Sequence, residues 1–341
     1  MKKRLNYLDV IRVFACFCVL TVHFNASISG YDQFLSFVYP NPLIPTNWFG
    51  VYLGSLGVGL FFMISGAALE YRYREGCEPL AFYRKRALNL YPAFWIAYLT
   101  AFVLNFFINR AMPGAPVWHM LVTALGMDGY CLTMGWNGSG FYILGEWFLG
   151  CILLIYLMYP FLSRLFHRLP VLTAAAVAVL WTALTLAGVD YHFFLNQLAY
   201  ILLGMMFSRY VKSALSGGVL LGTAGLLLVR ILCGRWMSQP VLTLVTCALF
   251  FLGLAILSEL LQKPLDRVSP ALRTVSGLTY PIFLVHHWII GRMVLTFDLA
   301  TISRRSVALL YVLCIAASAA AGYLLKRVTD RVLERCCRPA R

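Results

Sequence analysis

Arg12 and His23 lie eleven residues apart in RVFACFCVLTVHF, an otherwise nearly hydrocarbon stretch. On an α-helix that separation turns through about 1100°, about 20° beyond three full turns, and rises about 16 Å. The guanidinium and the imidazole therefore share one helix face. Asp9 precedes Arg12 by three residues, a spacing at which side chains on one face can pair. Ser27 follows His23 by four and extends the stripe. An imidazole with its ordinary pKa near 6.5 can take and return a proton at physiological pH, or attack as a nucleophile. Arg12 can serve Asp9 as a structural ion pair or face an anionic ligand. A charge near the centre of a membrane helix costs roughly 2.5–3.5 kcal/mol on insertion scales. Several polar groups on one stripe thus argue for an internal cavity rather than a lipid-facing surface.

Other ionisable groups interrupt apolar runs. Glu146 sits in GEWFLG, and His286, His287 and Arg292 sit in YPIFLVHHWIIGRM. Glu146 is either a site carboxylate or a solvated residue at a helix start, where the dipole favours it. His286 and His287 point about 100° apart on a helix, so one of the two is expected to face the cavity of His23. Glu70 ends one apolar run, and Arg84, Lys85 and Arg86 precede the next. Such a basic cluster marks topology and lipid-headgroup contact, or an anion site for phosphates. The ten cysteines show no CxxC and no metal-ligand spacing, so no metal is expected. Cys131 and Cys233, both near the outer side, are the one pair placed to form a disulfide.

The elements that must position these groups are membrane helices. Residues are 61% hydrophobic and 12% charged, with a mean hydropathy of +0.78, against about 25% charged in soluble domains. Ten apolar blocks fall at 8–27, 50–70, 91–108, 141–161, 170–188, 193–208, 216–234, 240–260, 278–297 and 306–325. Their lengths suit helices crossing a bilayer, and they lack the alternating polarity of barrel strands. The expected fold is all-α and polytopic, with about ten spans. With the N-terminus inside, 21 of the 28 Lys and Arg fall on inner segments, which places both termini in the cytoplasm. The net charge of +15 therefore reports topology, and a nucleic-acid partner is not expected. Asp9 and Arg12 interrupt any secretion-signal core. The segment 71–90 reads as the main cytoplasmic segment, with charge of both signs, and 109–140 as the longest outer segment, where Pro113, Gly114, Pro116 and the run 135–140 are turn chemistry rather than helix. No fixed-period repeat is evident, and residues 1–341 read as one transmembrane domain without a soluble extracytoplasmic domain.

Four stretches, in order along most of the chain, resemble the acyltransferase-3 family of integral-membrane O-acyltransferases. Leu8–Arg12 running to His23 matches the family's arginine–ten residues–histidine spacing. Gly59–Gly66, GLFFMISG, is like its FFxxSG element. Phe82–Arg86 leading to Tyr91-Pro92 is like its basic segment before a tyrosine–proline. Tyr280 with Phe283–His286 is like its late YxxYLxH pattern. Trp147–Leu149 with Tyr159-Pro160 is similar to its middle span. The chain departs from the pattern at Asn89, where the family commonly has a second arginine, and at Phe283, where a tyrosine is frequent.

The resemblance implies transfer of an acyl group, usually acetyl, from an acyl-CoA to a hydroxyl of a cell-surface carbohydrate or a lipid-linked sugar precursor. No metal is implied. It points to His23 as base or acyl relay, with Glu146 or His286 orienting it or polarising the thioester. Arg12, Arg84, Lys85 and Arg86 are the expected cofactor-binding groups, and the plasma or inner membrane is the expected location. A transporter or flippase with a proton-relay histidine is the alternative reading of the same buried groups. The ordered motifs and the lack of a repeat count against it.

Overall fold

The computed structural model describes residues 6–29, 43–112, 114–136, 140–141, 143–144 and 147–336. In chain order the helices are α1 (Asn6–Ile28), α2 (Leu53–Tyr73), α3 (Pro79–Asn109), α4 (Met120–Ala124), α5 (Asp128–Thr133), α6 (Trp147–Arg168), α7 (Pro170–Leu186), α8 (Leu198–Tyr210), α9 (Gly217–Cys233), α10 (Gln239–Leu260), α11 (Gln262–Val294) and α12 (Arg304–Cys336). A two-residue hairpin, β1 (Asn47–Trp48) and β2 (Val51–Tyr52), pairs Asn47 with Tyr52 ahead of α2. Among the described residues seven helices are long and apolar enough to cross a membrane: α1, α2, α3, α6, α9, α10 and α12. Helices α7 and α8 are apolar and shorter. Each apolar block of the sequence coincides with one helix.

Two boundaries differ from expectation. The segment 71–90, outside any apolar block, is mostly helix: α2 continues to Tyr73, and α3 begins at Pro79. Proline suits a first helical position, and Leu80–Leu90 is rich in Leu, Ala, Arg and Lys, all strong helix formers. Its charges kept it out of the apolar block without weakening its helicity. The outer segment also contains a 3₁₀ turn at Val117–His119 and the short helices α4 and α5. These are too short for an apolar-period signal.

The chain forms two compact units. The first comprises Met1–Val19, Thr46–Glu78 and Leu157–Gly277. In it α2 packs closely along α8, α10 lies on α2, and α7 and α9 flank them. Gly66 and Gly204 set the α2–α8 approach. A Cβ added at Gly66 would run into the Ile201 carbonyl, and one at Gly204 into that of Met63. Small residues of this kind let membrane helices meet backbone to backbone. The glycine of FFMISG is thus a packing residue.

The second unit comprises Leu20–Pro45, Pro79–Tyr156 and Leu278–Arg341. Its core is a stripe on α3 (Ala93, Phe94, Ala97, Tyr98, Ala101), closed by Leu149 of α6, Leu284 of α11 and Leu325 of α12. The spacing of one, four, five and eight residues is that of a helix face, and its alanines admit α12 beside α3. Large apolar side chains face outward on α3, α7 and α9, as a hydrocarbon solvent favours.

Candidate active site

In the second unit, the C-terminal part of α1 carries His23 and the last turns of α11 carry His286 and His287. The ring of His23 lies 4.8 Å from that of His286 and 5.1 Å from that of His287, both edge-on. Both rings of α11 therefore flank His23, not one. A ring standing opposite the gap between successive residues touches both despite their 100° separation.

His286 is wholly buried. Its Nδ1 lies 2.8 Å from the carbonyl oxygen of Phe283 and 3.2 Å from that of Ile282, one turn back on the same helix. A carbonyl only accepts, so Nδ1 carries the hydrogen. Nε2 is left with its lone pair, buried and without a hydrogen-bond partner. An imidazole held by one nitrogen and open at the other has the arrangement of a general base. Among the described residues His23 makes ring contacts and no hydrogen bond. No three His, Cys, Asp or Glu side chains among the described residues group as a metal-ligand set.

Around these rings α11 is tied to its neighbours. Phe283 packs edge-on against Phe148 of α6. The Tyr280 hydroxyl donates to the Leu90 carbonyl of α3 at 3.0 Å. Trp288 Nε1 and Arg292 Nη2 both donate to Asn105 Oδ1, at 3.0 and 2.7 Å. Thr21, beside His23, shares a 2.7 Å hydrogen bond with the Tyr311 hydroxyl of α12. The two ring-bearing helices are thus held by three others, α3, α6 and α12.

The remaining sequence-derived residues fall elsewhere. In the first unit Arg12 Nη1 lies 3.3 Å from Asp9 Oδ1 and 3.0 Å from Ser276 Oγ, and Ser276 donates to the same carboxylate oxygen at 2.6 Å. Arg84, Lys85 and Arg86 stand in the second turn of α3, with Arg84 exposed. The Arg86 guanidinium lies 5.5 Å from the Phe82 ring and 5.6 Å from that of Tyr156, and its Nε is buried with no hydrogen-bond partner. A cation held by aromatic rings with an open N–H can receive an anionic oxygen. Glu146 lies outside the described residues. Cys131 and Cys233 are both free thiols, so the expected pairing is not formed.

One cluster escaped sequence reasoning. His119, Thr123 and Asp128 are all buried in the outer segment, and the His119 ring stands edge-on to Trp118 and Trp136. Burial raises the Asp128 carboxyl above its ordinary range, opposed in part by the Thr123 hydrogen bond and the charge of His119. The residues sit on separate short turns, so no periodicity announces them.

The family profile of an acyltransferase domain matches residues 5–327. The chain belongs to the acyltransferase-3 family. Its acyltransferase domain includes α1 and α11, which carry the three histidines. The chain is also 32% identical over 124 residues to the acyltransferase MdmB of Streptomyces mycarofaciens, covering 35% of this chain and 31% of that protein. It therefore spans about a third of the length of the curated relative it matches. No solved structure matches the chain.

Proposed function

We propose that this acyltransferase-3 protein is a multi-pass membrane O-acyltransferase that moves an acyl group, acetyl by preference, from acyl-CoA to a hydroxyl of a cell-surface carbohydrate or a lipid-linked sugar precursor. About ten helices cross the membrane of one transmembrane domain, with both termini cytoplasmic. Acyl-CoA supplies a thioester already activated for attack, and its phosphates dock on Arg84, Lys85 and Arg86 from the cytosol.

One observation carries the reading: His286 is anchored at Nδ1 and open at Nε2, beside His23. The acceptor hydroxyl gives its proton to Nε2 as its oxygen bonds to the thioester carbonyl carbon. The carbon–sulfur bond then breaks, and the proton passes to the CoA sulfur, leaving an ester and a free thiol. Positioned base catalysis of this kind contributes about 10²–10⁴ in rate. His23 flanks the reacting hydroxyl and holds it toward Nε2. Arg12, engaged with Asp9 and Ser276, braces the first half of α1.

Mass spectrometry of surface glycans from cells with the wild-type chain, with His286→Gln and without the chain tests this directly. The acyl increment should be present only with the wild type. Glycans alike in all three would sink it, as would vesicles in which the purified chain moves solute without any acyl-CoA. Acyl transfer that persists through a histidine-bound acyl intermediate, trapped by acid quench, would replace the base with a covalent relay.

A further inference from the structure

A second site lies in the first unit, between α9 and α10. A groove of about 860 Å³ runs along these two helices, within the size range of ligand pockets. From α9 it takes Thr223, Leu227, Arg230 and Ile231, and from α10 a row from Thr246 to Leu257. The α9 residues recur every three to four positions, as one helix face does. From Thr223 to Ile231 is about 12 Å along the axis, and from Thr246 to Leu257 about 16 Å. A short connection joins the two helices, so they run antiparallel, with Arg230 and Thr246 at one end and Leu257 at the other.

The groove is polarised. Its length is hydrocarbon, while Arg230 stands at the end where α9 closes. Arg230 Nε donates to Thr246 Oγ1 at 3.3 Å, and Nη2 donates to the Phe49 carbonyl. Phe49 takes a left-handed φ of 53° in the hairpin turn, so this carbonyl is turned back toward the helix pair. The two hydrogen bonds aim the guanidinium and leave three of its five N–H groups. No carboxylate among the described residues pairs with it. An uncompensated cation at one end of a lipid-facing apolar trough is complementary to one chemistry: a phosphate with hydrocarbon chains behind it. Helix α9 has no buried residue, so membrane lipid has direct access.

We propose that this groove holds an anionic glycerophospholipid of the surrounding bilayer, with its phosphate on Arg230 and an acyl chain along the α9–α10 seam. The site is separate from the histidine cluster and does not depend on the reaction assigned to it. Gly253 offers a clean probe. It lines the groove, and a Cβ added there meets nothing within 4 Å. Gly253→Leu therefore fills the trough without displacing the core, and removes a helix-weakening glycine.

The test uses the purified full chain in detergent, titrated with phosphatidylglycerol, phosphatidylcholine of the same chains, or inorganic phosphate. Thermal midpoint and native mass spectrometry are the readouts. The wild type should bind phosphatidylglycerol saturably and about tenfold to a hundredfold more tightly than phosphatidylcholine, the range for a charge-assisted hydrogen bond. Arg230→Gln should erase that preference, and Gly253→Leu should abolish binding of both lipids. Equal binding of the two lipids by the wild type would overturn the proposal. So would a preference that survives Arg230→Gln, undiminished lipid binding by Gly253→Leu, or a midpoint shift produced by phosphate alone.

Discussion

At the end of α2, Glu70 is wholly buried, with its two oxygens 2.8 Å from His167 Nε2 and 3.1 Å from Arg209 Nη1. On α11, His286 is equally buried, but only one of its nitrogens has a partner. Both places hold ionisable groups inside an apolar helix bundle. In the first, a carboxylate, an imidazole and a guanidinium satisfy one another, and the Arg209 guanidinium also lies over the Phe166 ring at 5.7 Å. In the second, three imidazole rings gather against one another. The first arrangement holds structure and leaves little capacity to accept a substrate proton. The second leaves one lone pair open. Burial alone therefore does not set a histidine's capacity to take a proton; an unspent nitrogen does.

The sharpest way to break that contrast is His286→Gln. Acyl transfer should fall by about 10²–10⁴ with the thermal midpoint nearly unchanged, as followed by acceptor-dependent thiol release from acetyl-CoA. A large loss of midpoint with full activity per folded molecule would make His286 a structural residue instead. Glu70→Leu should behave in the opposite manner. It strands Arg209, whose side chain is 27% exposed, and loss of one member of a buried pair costs about 3–5 kcal/mol. Partial solvent access puts the expected figure at the low end. The midpoint and yield should drop while activity per folded molecule holds.

Arg86→Gln sits between these cases, since Arg86, like His286, keeps one buried polar atom without a partner, here a donor, but is held by rings. KM for acetyl-CoA should rise about tenfold with kcat little changed, as removal of one charged phosphate contact predicts. The smallest effect is expected at Asp128, where one carboxylate oxygen lacks a partner. Burial raises this carboxyl above its ordinary 3.8. Between that value and its folded one, the folded chain binds more protons than the unfolded chain. Stability from this group is therefore full below pH 3.8 and falls as pH rises through the folded value. Asp128→Asn should flatten that decline in a series of thermal midpoints across the acid range.

Much of this was readable from residue order. The apolar blocks became helices because hydrocarbon length and backbone satisfaction leave a membrane chain few choices. The Asp9–Arg12 spacing and the grouping of His23 with α11 follow from helix periodicity within or between long, regular elements. What stayed hidden depends on partners distant in the chain. Glu70 gave no hint that His167 and Arg209, 97 and 139 residues on, would meet it. Gly66 read as a motif letter, although its function is to admit the Ile201 backbone. Arg84–Arg86 read only as a basic flank because their charge lies outside the apolar block, and His119–Asp128 lies on turns with no period to detect. The two histidines of α11 were treated as alternatives because angular separation says nothing of a ring seated between them.

The anchor of His286 is main chain. A carboxylate that orients a base can be lost through a single codon change, whereas the carbonyl of Phe283 survives replacement of Phe283 by any amino acid. Substitutions along α11 that preserve the helix can therefore change the side chains around the imidazole while Nδ1 keeps its anchor.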